Sequence, residues 1–180
     1  ACPGHDRRTT MIRLLLGIFL FLLLASLEVG FIYALPFPID RTPLLLVVSV
    51  FVFQSMDIRL GAWWVAVHGL VVDLLHISFV SFEFISYVIA SVALILSARH
   101  LFSNRPFWGV LGTFTMSLLA LTMAEILFSL VGILENSYTL SLQDLLLVRA
   151  WSWALGTVLL LFLFPLHEFF VRLRIKLFAS

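Results

Sequence analysis

Four charged side chains sit where charge is hard to accommodate. Glu28, Asp73 and Glu125 each interrupt a long apolar stretch, and Arg149 stands at the head of another. If those stretches cross a bilayer, each acid near its centre costs about 2.5–3.5 kcal/mol, so none is expected to face lipid. Carboxyl groups turned into a helix bundle pair with a cation, accept hydrogen bonds from backbone, bind a polar ligand or carry a proton. Helical spacing indicates where they point. Glu125 shares a stripe with Thr122, Ser129 and Gly132; Asp73 lines up with Gly69 and His76; Glu28 follows Gly17 and Ala25. Arg149, if helical, stacks over Ser152, Trp153 and Gly156. Small residues let helices approach closely, so all four charges are expected to face inward. Two arrangements satisfy this pattern. One is a single buried cluster of Glu28, Asp73, His76, Glu125 and Arg149, in which the guanidinium offsets part of the acidic charge. The other is three separate acids, each protonated or hydrogen-bonded to backbone and hydroxyls.

Catalytic signatures are missing from the sequence. It has no G-x-S-x-G elbow, H-E-x-x-H, Walker loop or glycine-rich dinucleotide turn. An intramembrane aspartyl peptidase needs two aspartates within spans, and only Asp73 qualifies; Asp40, Asp57 and Asp144 fall at edges. His68 lies about 140° around its helix from Asp73 and does not share its face. No pair of histidines has metal-ligand spacing with a supporting carboxylate. The lone cysteine, Cys2, provides neither a disulfide framework nor a thiolate site. The expectation is a protein without catalytic, cofactor or metal residues.

The elements that must position these charges follow from composition. Of 180 residues, 62% are hydrophobic and 12% charged, against about 45–50% and about 25% in soluble domains. That balance argues against a soluble enzyme, and a net charge of +1 leaves no electrostatic footprint for nucleic acid. The expected fold is all-α: one polytopic domain over residues 11–180, a bundle of six transmembrane helices. Spans are expected at about 12–35, 43–56, 61–80, 82–98, 107–134 and 142–171. Pro36 and Pro38 stop the first. The second is short, with Thr42 as its N-cap and Pro43 in its first turn. The last either begins at the capping-box pattern Ser141-Leu-Gln-Asp144, drawing Arg149 into the helix, or at Trp151, leaving it in a loop. Pro165 is expected to kink it.

Six spans with an inner N-terminus and inner C-terminus place Arg7, Arg8, Arg13, Arg59, Arg99, Arg105, Arg172, Arg174 and Lys176 inside. Only Arg41 and Arg149 remain outside, as positive-inside orientation requires. Trp63, Trp64 and Trp108 then fall at the inner interface, and Tyr33, Trp151 and Trp153 near the outer one. Counted at about 1.5 Å per residue, the three acids lie at or beyond the midplane on the outer side. Residues 1–10, before Met11, are read as an extension or cloning remnant outside the domain. The apolar run after Arg13 imitates a signal peptide but has no small-residue cleavage site.

The third and fourth spans resemble a known family. Arg59-Leu-Gly-Ala-Trp-Trp, then Gly69-Leu-Val-Val-Asp73-Leu-Leu, is similar to the central signature of MreD, the rod shape-determining membrane protein of bacteria. Where many members carry Pro-Phe-Gly in the following turn, this chain has Ile77-Ser-Phe-Val-Ser-Phe. The loop Leu101-Phe-Ser-Asn104-Arg105 and the late Pro165 with its basic tail also fit. The resemblance implies a non-catalytic scaffold of the cell-elongation complex in the cytoplasmic membrane. Its partners there are MreC, the MreB filament, RodA and a class B penicillin-binding protein, which support lateral peptidoglycan synthesis and cell shape.

On that reading Gly69, Asp73 and His76 fix the packing of the central helices. The small-residue faces Ser86-x-x-x-Ala90 and Ala120-x-x-x-Ala124 serve either a partner's helix or internal packing. The fold implied resembles that of the S components of energy-coupling-factor transporters, which suggests the alternative function of a vitamin- or metal-ion-binding subunit. Its ligand would then sit among Glu28, Asp73 and Glu125. Against this alternative, the first helix lacks Ala-x-x-x-Ala and offers only Ser26-x-x-x-Gly30.

Overall fold

A computed structural model describes residues 4–55, 58–75, 83–101, 106–134 and 142–178. Among them the chain forms six α-helices: α1 (Gly4–Gly30), α2 (Leu44–Ser55), α3 (Ile58–Leu75), α4 (Glu83–His100), α5 (Pro106–Leu134) and α6 (Leu142–Phe178). Four segments are long and apolar enough to cross a membrane: Leu14–Ala34, Glu83–His100, Phe107–Leu130 and Gln143–Leu166. These mark the chain as a membrane protein. The segment Leu60–Leu75 of α3 is apolar but shorter.

Helix α1 leaves α geometry at Gly30, five residues before the expected end. Pro36 disfavours helical backbone at the residue before it, and Leu35 is accordingly extended at φ −80°, ψ 156°. The last turn therefore tightens into a 3-10 turn, Ile32–Ala34. A second 3-10 turn, Ile39–Arg41, leads into α2. At its other end α1 continues back to Gly4, so the helix runs through most of the segment set apart as an extension. Helix α6 begins at Leu142 and runs unbroken through Pro165. Arg149 is therefore helical.

Helix α2 is the centre of the bundle. Its 12 residues rise about 18 Å, well short of the roughly 30 Å hydrocarbon core. It touches α1, α3, α5 and α6, and from Leu44 to Gln54 no residue is exposed. A helix that is apolar all round belongs inside a protein or a membrane, and here its neighbours supply the cover. Leu46, Val47, Val50 and Phe53 join Val65 of α3, Leu94 of α4, Phe114 and Leu121 of α5 and Leu160 of α6 in one core.

Close approach sets the helix spacing. A Cβ on Gly69 would overlap the Cβ of Tyr87, locking α3 against α4. A Cβ on Gly61 would overlap the carbonyl oxygen of Ser49, bringing α3 onto the backbone of α2. Hydroxyls and amides tie the same seams: Ser91 Oγ donates to the Ala62 carbonyl at 2.8 Å, and Gln54 Nε2 donates to Thr113 Oγ1 at 2.9 Å. Trp64 departs from the expected interfacial belt. It is buried and packs on Phe21 of α1 at 6.2 Å between ring centroids, whereas Trp63, one helical step of 100° away, is exposed.

Candidate functional site: a charged cavity at one end of the bundle

The C-terminal ends of α1, α3 and α5 and the N-terminal ends of α2, α4 and α6 meet at one end of the bundle. They enclose a cavity of about 320 Å³. Four carboxyl groups (Glu28, Asp40, Glu83, Glu125) and two guanidinium groups (Arg41, Arg149) line it, with Tyr33, Tyr87, Thr42 and Ser152.

Glu28 is 2% exposed and its Oε2 accepts the backbone N–H of Leu45 at 2.7 Å. The first N–H groups of a helix have no partner within it, and at the start of α2 the Leu45 N–H is buried beside Glu28. A carboxylate from α1 therefore caps α2. Thr42, the expected cap, turns back instead: its hydroxyl donates to the Ile39 carbonyl at 2.7 Å and closes the preceding 3-10 turn. The other carboxylate oxygen, Oε1, lies 3.8 Å from His68 Nε2, beyond hydrogen-bond reach. His68 is 1% exposed and stands edge-on to the Tyr87 ring at 5.1 Å.

Asp73 does for α4 what Glu28 does for α2. Its Oδ2 accepts the Phe84 N–H at 3.0 Å in the first turn of α4. Glu125 instead meets a cation. Arg149 Nε donates to Glu125 Oε2 at 2.8 Å, and Nη2 donates to Oε1. This fork-to-carboxylate geometry is the strongest form of charged hydrogen bond between side chains. It joins α5 to α6, with both side chains mostly withdrawn from solvent. At the cavity mouth Arg41 pairs with its neighbour Asp40 at 3.0 Å.

Of the residues singled out in the sequence, Glu28, Glu125 and Arg149 line the same cavity. Asp73 lies at the end of α3 and turns to α4. His76 lies outside the described residues. Gly69 sits beneath Tyr87. Ser86 and Ala90 are buried within the bundle, Ala124 is buried and Ala120 half-buried, so the Ser86–Ala90 face is occupied by the chain's own helices. Sequence reasoning set His68 aside as off the Asp73 face, placed Tyr33 only in an interfacial belt and passed over Tyr87. The α3 face that approaches Glu28 carries His68 and Val72, four residues apart, and not the Gly69–Asp73–His76 stripe beside it. A histidine within an apolar helix was itself the available signal.

Among the described residues, no group of three or more His, Cys, Asp or Glu side chains has the arrangement to hold a metal ion. What the charged groups do visibly is join helices: α1 to α2, α3 to α4, and α5 to α6. No family model matches the chain, and neither a curated protein nor a solved structure does.

Proposed function

We propose that this protein is a non-catalytic membrane scaffold of the bacterial cell-elongation complex, similar to MreD and seated in the cytoplasmic membrane. On this reading all six helices belong to one transmembrane bundle with both termini inside, and α2 reaches only some of the way across. MreC is the expected direct partner; the MreB filament, RodA and a class B penicillin-binding protein complete the assembly. The observation that supports a scaffold is the use of the three intramembrane acids. Two cap helices of the chain itself and the third is paired with Arg149. Charges so engaged serve architecture, and the resemblance at Arg59–Trp64 and Gly69–Leu75 supplies the particular complex.

The cavity favours a second reading. A volume of about 320 Å³ walled by four carboxyls, two guanidiniums and two tyrosines falls at the small end of ligand sites, which supports the alternative of an S component that binds a small polar ligand. One experiment separates the two. The tagged chain is isolated from native membranes in mild detergent and co-purifying proteins are identified by mass spectrometry. Recovery of MreC or the RodA–penicillin-binding pair supports the scaffold. Recovery of a coupling subunit with its ATPases, or of a retained small molecule, overturns it in favour of transport.

A further inference from the structure

A second hollow lies on the flank of the bundle, away from the charged cavity. It follows the seam between α3 and α4, holds about 540 Å³, and is walled by Trp63, Val67 and Leu70 on one side and by Phe84, Val88 and Ile95 on the other. Its floor is Ala62, Ala66 and Ser91, where the two helices touch through the hydrogen bond from Ser91 to the Ala62 carbonyl. With that hydroxyl satisfied, the floor offers a ligand only hydrocarbon contact. At one end stands Arg99, exposed, and no carboxylate among the described residues pairs with it.

The walls of the groove are apolar and its floor is made of small residues. A single hydrocarbon chain enters such a seam. From Phe84 to Arg99 the groove rises about 22 Å, longer than the roughly 15 Å of one leaflet, so an acyl chain fills the part nearest Arg99. An apolar channel with a guanidinium at its end is complementary to an amphiphile with an anionic head. The planar guanidinium fork suits a phosphate oxygen pair.

We propose that the α3–α4 seam binds an anionic phospholipid, one acyl chain lying against Ala62, Ala66 and Ser91 and the phosphate held by Arg99. The site is independent of the charged cavity and of what that cavity does.

The test uses the full chain in mild detergent, supplied with phosphatidylglycerol or phosphatidylcholine of identical acyl chains. Retained lipid is counted by native mass spectrometry. One basic side chain near an anionic lipid head corresponds to a preference of about fivefold. The expected result is that preference in the wild-type chain and in Arg99→Lys, and its loss in Arg99→Gln. Ala66→Phe, which fills the floor, is expected to reduce retention of both lipids. A photo-reactive side chain at position 67 is expected to label lipid. Unchanged phosphatidylglycerol preference in Arg99→Gln, unchanged retention in Ala66→Phe, or labelling of protein without lipid would each overturn the proposal.

Discussion

Replacing Glu28 tests whether the start of α2 depends on a side chain from another helix. In Glu28→Leu the Leu45 N–H loses an acceptor held at 2.7 Å at a position where Glu28 itself is 2% exposed. Hydrogen bonds between membrane helices average only about 0.6 kcal/mol. The relevant quantity here is larger, because a buried donor left unsatisfied costs about 1–3 kcal/mol. Loss of an N-cap, measured in other helices, falls in the same range at about 0.5–2 kcal/mol. These describe one event and are not summed, so the expected destabilisation is about 2 kcal/mol. Glu28→Gln keeps a carbonyl oxygen in place and is expected to lose less than about 1 kcal/mol. Thr42→Ala, which removes a hydroxyl bonded to Ile39 in an exposed turn, is expected to change stability by less than about 0.5 kcal/mol. Equilibrium unfolding in mixed micelles of mild detergent and dodecyl sulfate measures all three. If Gln is as damaging as Leu, or Thr42→Ala is worse than either, Glu28 does not act as the cap.

Three other outcomes use the same assay. Arg149→Met is expected to cost about 3 kcal/mol by stranding Glu125, while the double change Glu125→Leu with Arg149→Met recovers most of that loss; an additive double variant would exclude coupling between α5 and α6 through this pair. His68 makes no hydrogen bond to Glu28 at 3.8 Å, so His68→Leu is expected to cost less than about 1 kcal/mol, and a loss near 3 kcal/mol would reveal a true ion pair. Gly69→Ala forces a methyl into the Tyr87 Cβ and is expected to cost about 1–3 kcal/mol. Gly30→Ala meets nothing within 4 Å and is expected to stabilise by about 0.4–1 kcal/mol; equal effects at the two glycines would mean that the α3–α4 contact is not tight.

Much of the helix layout was legible because apolar runs, prolines and charge placement all punctuate the same sequence. The ends of α4 and α5 fall within two residues of those expected, and the capping-box pattern located the start of α6. The depth of α2 was less legible. A run of Leu and Val looks the same whether lipid or protein surrounds it, and only the tertiary arrangement encloses α2 on every side. Trp64 illustrates the same limit: adjacent tryptophans point 100° apart, and the sequence does not say which of them meets Phe21. Inward-facing stripes left open both a cluster in which Arg149 offsets part of the acidic charge and three separate acids, because the partner of each acid depends on helix rotation. For α3, one step of rotation puts His68 beside Glu28 and leaves Asp73 to α4. The capping role of Glu28 could not be read from local pattern, because its partner lies 17 residues along the chain, beyond two 3-10 turns.

Enclosure of α2 also divides the bundle by its response to bilayer thickness. A helix in contact with acyl chains tilts or stretches the surrounding bilayer when its apolar length and the membrane differ, at a fraction of a kcal/mol per ångström. Helix α2 exposes little of its surface along Leu44–Gln54, so it is packed chiefly on neighbours such as Val65 and Phe114 and less on lipid. Thinner or thicker membranes therefore act on the peripheral helices, chiefly α1, whose Leu15, Leu16, Phe19 and Leu22 face outward. Glu28, carried by α1 but bonded to α2, ties that periphery to the core.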